Sequence, residues 1–208
     1  ALHHPNILEL LNFDTIDGLP VLVTRFITGV NLEKWIASHK PTFQEAANWV
    51  AQLADALDYV HREKIVHRDV KPGNVMLVSL DKSKTRIPIL IDFGLALRDD
   101  TIELSSDAGQ VVGTPAYMSP EQAAGGRAAV DWRSDIYSLG VIFYELLCGR
   151  RPFEGTITEV IGQILHVEVT PPSTHRAGVD SGLEKVCMTM PAKKASDRFA
   201  SMKEVAAA

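Results

Sequence analysis

Apolar positions along the chain recur with two periods, and the switches between them predict the elements. Ile7 to Phe13 and Leu19 to Phe26 read as two short strands joined by the polar turn Asp14-Thr15-Ile16-Asp17-Gly18. Thr28-Gly29-Val30 is a short connector, and Asn31 is placed to cap a helix through His39, with Pro41 beyond its end. Thr42-Phe43-Gln44-Glu45 has the form of a capping box. The helix it opens is expected to run to about Glu63, with Ala46, Val50, Leu53, Leu57 and Val60 on one apolar face. Val75–Val78 and Ile87–Ile91 read as strands around the solvated turn Asp81-Lys82-Ser83-Lys84. Arg98 to Gln110 is polar and aperiodic, as in a surface loop. From Ser134 the pattern turns helical: Ser134–Cys148, Ile157–His166, Gly182–Met190 and Ser201–Ala208, with Pro171-Pro172 marking a loop. Strand pairs followed by a helical mass predict an α+β fold. The run Val141 to Leu147 is apolar nearly all round, which predicts a helix buried on every side.

Composition narrows the class without choosing a chemistry. The 208 residues are 46% hydrophobic and 23% charged, enough for one domain with a sizeable core. A formal charge of −5 gives no reason to expect nucleic acid as a partner. Cys148 and Cys187 are the only cysteines, without metal-type spacing, which fits a reducing compartment. The longest apolar stretch, Tyr137 to Cys148, is too short to span a bilayer, so no membrane segment is expected within the chain. No initiator Met or signal peptide opens it, and both ends read as cuts through a longer protein.

The chemistry concentrates in His67-Arg68-Asp69-Val70-Lys71-Pro72-Gly73-Asn74, followed eighteen residues after Asn74 by Asp92-Phe93-Gly94. A lone Asp or Asn in a loop ordinarily caps a turn. Here a carboxylate, a cation and two hard-oxygen donors fall within 26 positions, the set that phosphoryl transfer requires. The pattern resembles the catalytic and metal-binding loops of eukaryotic-like protein kinases. In that resemblance Asp69 orients the substrate hydroxyl, Lys71 neutralises the transferred group, and Asn74 and Asp92 hold Mg2+, with Mn2+ as an alternative. Gly113-Thr114-Pro115-Ala116-Tyr117-Met118-Ser119-Pro120-Glu121 resembles the segment that receives the peptide substrate, and its Ser-Pro-Glu ending looks like bacterial serine/threonine kinases.

The resemblance implies a kinase-like fold: mainly the helical large lobe, with two strands, the fourth and fifth, left from the small lobe. Residues 1–27 would be that remnant and hinge, and 28–208 the large lobe. It pairs Glu121 with Arg198 and has Asp135 anchor the loop backbone near His67. Thr24 falls at the gatekeeper position, Arg25-Phe26-Ile27 at the adenine-binding hinge, and Leu32, Val75 and Leu77 beneath the adenine. Leu10, His67 and Phe93 would join an apolar stack, with Gly94 closing the metal loop. Arg68 would pair with a phosphate on the activation loop, whose acceptors are Thr101, Ser105 and Ser106, while Thr114 would sit beside Asp69 and Lys71.

Two departures concern substrate choice: Asn31 and Gly73 stand where arginine-directed kinases are acidic. There is also no Lys before Lys34 and no glycine-rich loop, so the family's strand Lys and helix Glu would lie before residue 1. These 208 residues alone are therefore expected to be inactive. The implied function is ATP-dependent phosphorylation of Ser/Thr hydroxyls on protein substrates, with self-association for autophosphorylation. The implied location is the cytoplasm, including as the cytoplasmic domain of a membrane-anchored receptor kinase. A pseudokinase-like scaffold and a small-molecule kinase sharing the catalytic loop remain alternatives.

Overall fold

The computed structural model describes residues 2–79, 85–92, 115–125 and 130–208. Two helices form its centre. In α2 (Phe43–Arg62), the Thr42 hydroxyl accepts from Glu45 N at 3.2 Å and Glu45 Oε2 accepts from Thr42 N at 2.9 Å. This reciprocal cap fixes the start of the helix as expected. Ala46, Val50, Leu53, Leu57 and Val60 are buried along it, joined by Trp49 and Ala54. The second, α4 (Trp132–Cys148), is sealed almost throughout and ends on Gly149 at φ 78. It begins two residues earlier than expected because Asp131 caps it, accepting from Arg133 N at 2.8 Å. The helix passes so close to its neighbour that a Cβ on Gly140 would lie 2.5 Å from that of Met190, so only glycine fits there.

Around this pair pack α5 (Ile157–His166), α6 (Ser181–Thr189) and α7 (Met202–Ala207). Helix α5 has the predicted bounds, and α6 and α7 lie within one residue of theirs. Helix α1 (Leu32–Ile36) is capped by Asn31 as expected but stops three residues short of His39. The Trp35 carbonyl takes the N–H groups of both Ser38 and His39, which closes a tight turn, and the Trp35 ring stacks on His39. A further short helix, α3 (Pro120–Ala123), escaped the apolar pattern because it is polar; a Ser119–Gln122 capping box starts it.

The strands form two sheets. In the smaller, β1 (Leu10–Ile16) pairs antiparallel with β2 (Leu19–Thr24). The expected five-residue turn narrows to Asp17-Gly18, at φ 51 and 78. Two successive positive φ values make the turn whose twist matches paired strands, so Asp14 to Ile16 continue the ladder. Ile7 leaves the predicted strand and bridges Leu90 instead. The other sheet has the order β3-β4-β5, antiparallel, with β3 (Val30–Asn31), β4 (Val75–Ser79) and β5 (Arg86–Leu90). Strand β3 was not expected, since two residues carry no periodicity. The sheets are tied where Leu8 N donates to Leu90 O at 2.9 Å and Leu90 N to Asn6 O at 2.8 Å. Among the described residues no helix is long and apolar enough to cross a membrane.

Candidate active site

The site is built outward from one buried carboxylate. Asp135, in the first turn of α4, is fully buried. Its Oδ2 accepts from His67 N at 2.9 Å and from His61 Nε2 at 2.7 Å, and its Oδ1 from Arg68 N at 2.8 Å. A buried charge persists only when paired and hydrogen-bonded, and three donors meet that need here. The same bonds hold Arg68 at φ 66, a conformation that side chains rarely adopt and that persists where surroundings enforce it.

The next residues inherit this geometry. His67 Nδ1 accepts from Asp69 N at 3.3 Å. Burial holds the His67 imidazole below its ordinary range, outweighing the Asp135 and Asp69 carboxylates that pull the other way. A neutral ring is what an accepting Nδ1 requires. Asn74, itself buried, donates from Nδ2 to Asp69 O at 2.8 Å and to Asp69 Oδ2 at 2.9 Å. Lys71 Nζ lies 2.7 Å from the same Oδ2. Asp69 is therefore gripped on one oxygen, and Oδ1 has no hydrogen-bond partner among the described residues. Pro72–Asn74 forms a single 3-10 turn that presents Asn74, and Ile91 N donates to Asn74 O at 2.9 Å. That bond brings the end of β5 to the loop, and Asp92 follows at φ 60.

The far wall comes from residues 115–123. Gln122 Nε2 donates to Arg68 O at 2.8 Å, joining this wall to the Asp69 loop. Tyr117 OH donates to Glu145 Oε2 at 2.6 Å, and Ser138 Oγ to Tyr117 O at 2.7 Å. Burial pushes both Tyr117 and Glu145 upward. Arg198 and Glu121 meet in a fork, Nη1 to Oε1 at 2.7 Å and Nη2 to Oε2 at 2.8 Å. Burial would raise the Glu121 carboxyl, but the hydrogen bonds from Arg198 and Ser134 prevail and hold it at about 2.

The nucleotide side rests on buried residues. Leu32, Val75 and Leu77 are 0, 0 and 1% exposed, sealed in the core. Side chains alternate along a strand, so the face of β4 opposite Val75 and Leu77 carries Met76, which is partly exposed. Residues 75 and 77 therefore form a layer beneath the surface to which Met76 contributes. Thr24 and Arg25 are exposed, Arg25 pairing with Glu9 at 2.5 Å, while Phe26 is 90% exposed and Ile27 half-buried. Leu10, expected in an apolar stack with His67, is instead 39% exposed on the hairpin. Phe93, Gly94, Thr101, Ser105, Ser106 and Thr114 lie outside the described residues.

Sequence reasoning missed three residues. His61 continues the Leu53–Leu57 spacing of α2 by one more turn, a signal that it faces inward. Met76 could have been found from strand alternation. Gln122 had a signal in the capping box that follows Ser119.

A helical mass anchoring a short loop of carboxylate, lysine and asparagine defines a phosphotransferase-type lobe. The protein kinase domain family matches residues 1–207, and the chain belongs to that family. It is 39% identical over 202 residues to the serine/threonine-protein kinase Pkn1 of Myxococcus xanthus, covering 96% of this chain and 28% of Pkn1. It is 35% identical to PknB of Mycobacterium tuberculosis, covering all of this chain and 33% of PknB, and 32% identical to PrkC of Bacillus subtilis, covering all of this chain and 31% of PrkC. The chain thus spans about a third of the length of these curated relatives. The solved Mycobacterium tuberculosis PknI kinase domain superposes with a TM-score of 0.73 at 28% identity, covering 99% of this chain and 71% of that one. The fold is therefore the protein-kinase-like one, and the bacterial serine/threonine type is the branch it resembles. Members of this family act on proteins and use ATP with a divalent metal.

Proposed function

We propose that the protein transfers the γ-phosphate of ATP to serine or threonine hydroxyls of protein substrates. The observation that carries this reading is Asp69, held on Oδ2 by Asn74 and Lys71 and left, among the described residues, with Oδ1 for an incoming hydroxyl. In the reaction, the substrate oxygen bonds to the γ-phosphorus as the bond to the β–γ bridging oxygen breaks. The hydroxyl proton passes to Asp69, and Lys71 turns to the oxygens of the transferred group. The intact loop opposes the scaffold alternative, and the ordered wall at Tyr117 and Gln122 favours a protein substrate over a small molecule.

The residues fit a divalent ion. Asn74 spends Nδ2 on Asp69, so its Oδ1 is the atom left to face a cation, and Asp92, which follows the Ile91 bonded to Asn74 O, supplies a carboxylate. Among the described residues no group of three or more His, Cys, Asp or Glu gathers, which suits Mg2+, an ion that completes its shell with water and phosphate. Bound there, Mg2+ or Mn2+ would offset phosphate charge.

Residues 1–27 read as the small-lobe strands and hinge, and 28–208 as the large lobe. Met76 and the hinge at Arg25 to Ile27 are the surfaces for adenine. Arg68, exposed beside Asp69, is the residue for a phosphate on the segment bearing Thr101, Ser105 and Ser106. A cytoplasmic setting and self-association for autophosphorylation accompany this reading. The test is Asp69→Asn in the full-length protein, assayed with labelled ATP and a protein acceptor. Loss of transfer is expected; near-normal transfer would remove Asp69 from the chemistry.

A further inference from the structure

Read from sequence, Asn31 and Gly73 deprive the peptide side of the loop of two carboxylates. The structure returns one from a third residue. Asn31 Nδ2 donates to Gly73 O at 2.6 Å while its Oδ1 accepts from Glu33 N at 2.9 Å, so the start of α1 is clasped against the Asp69 loop. A Cβ on Gly73 would lie 3.6 Å from Glu33 Oε2 and 3.8 Å from Lys71 Cε. Glu33 and Lys71 therefore flank the same point, in the space that a longer side chain at Gly73 would fill. Lys71 is engaged with Asp69 at 2.7 Å, and among the described residues no cation pairs with the exposed Glu33. After burial itself, Glu33 is among the charges that push the half-buried Glu145 upward, so its field reaches the wall formed by Tyr117.

We infer that Glu33 is a specificity-determining residue that selects substrates carrying Arg or Lys within about three residues of the acceptor, an inference that rests on the protein-kinase reading above. An extended peptide advances ~3.3–3.6 Å per residue, so a side chain two or three places from a hydroxyl at Asp69 reaches the flank of the loop. An arginine there gains a charge-assisted, two-pronged contact with a carboxylate that pairs with no cation among the described residues.

The test uses the full-length protein and a Ser/Thr-centred peptide in an alanine background, with single Arg, Ala or Glu substitutions at each flanking position. At one position the wild type should favour Arg over Ala in kcat/KM, mainly through KM. Glu33→Gln should lower that Arg-to-Ala ratio about three- to fivefold, as befits an exposed ion pair. Glu33→Lys should invert it, so that the Glu peptide becomes the better substrate. Equal ratios in wild type and both variants, on an enzyme that phosphorylates the Ala peptide, would overturn this inference alone. A wild type that phosphorylates neither peptides nor proteins would overturn the kinase reading and this inference with it.

Discussion

His61 and His67 share one oxygen: Asp135 Oδ2 accepts from His61 Nε2 at 2.7 Å and from His67 N at 2.9 Å. The last turn of α2, the central helix α4 and the loop bearing Asp69 thus meet at a single atom. Among the described residues His61 Nδ1 is buried without a hydrogen-bond partner, so the ring is present for what its Nε2 does.

His61→Leu should therefore act on the loop more than on the nucleotide. Losing one donor to a buried carboxylate should cost about 1–3 kcal/mol of stability. Turnover should fall while KM for ATP changes little. Urea unfolding and steady-state kinetics of the full-length protein check both.

Asp69 and Asp92 should separate chemistry from binding. Asp69→Asn should lower kcat by about 10²–10⁴-fold with KM for ATP largely kept. Asp92→Asn should weaken metal-dependent nucleotide binding. Titration calorimetry with ATP, with and without Mg2+, distinguishes the two.

Arg198 and Glu121 should set acid sensitivity. Arg198→Met leaves the Glu121 carboxylate buried without its partner and should cost about 3–5 kcal/mol. Glu121 is held at about 2, below its ordinary 4.5, so its contribution is complete above the ordinary value and fades as pH falls from about 4.5 to about 2. Circular dichroism during acid titration should show a weaker pH dependence in that window for Glu121→Gln than for wild type.

Met76 and Leu77 face opposite ways on one strand and should fail differently. Leu77→Ala opens a cavity in the core and should cost about 2–5 kcal/mol, read as a lower Tm. Met76→Ala should keep most of the stability and raise KM for ATP. Equal effects on both measures would remove Met76 from the adenine surface.

These contrasts mark what the sequence could disclose. The Thr42–Glu45 box and the chemistry of Asp69 to Asn74 are local, with partners two to five residues apart, so both could be read along the chain. The apolar run through α4 predicted its burial without reference to any other element. His61 and Asp135 are 74 residues apart and meet only after α2 and α4 cross. The burial of Val75 and Leu77 is likewise set at a distance. Alternation says that Met76 faces away from them, but which face is buried depends on the helices packed beneath β4. The Asp17-Gly18 turn shrank because two positive φ values set its length, and polarity alone had overestimated it.

The Asp135 anchor also bears on how the loop breathes. The amides of His67 and Arg68 belong to no helix or strand, yet they donate to a carboxylate on a helix sealed on nearly every side. Their hydrogens can exchange with deuterium only when that helix comes free of the core. Two irregular residues beside the chemistry would then be among the slowest in the chain to exchange, timed by global unfolding rather than by loop motion.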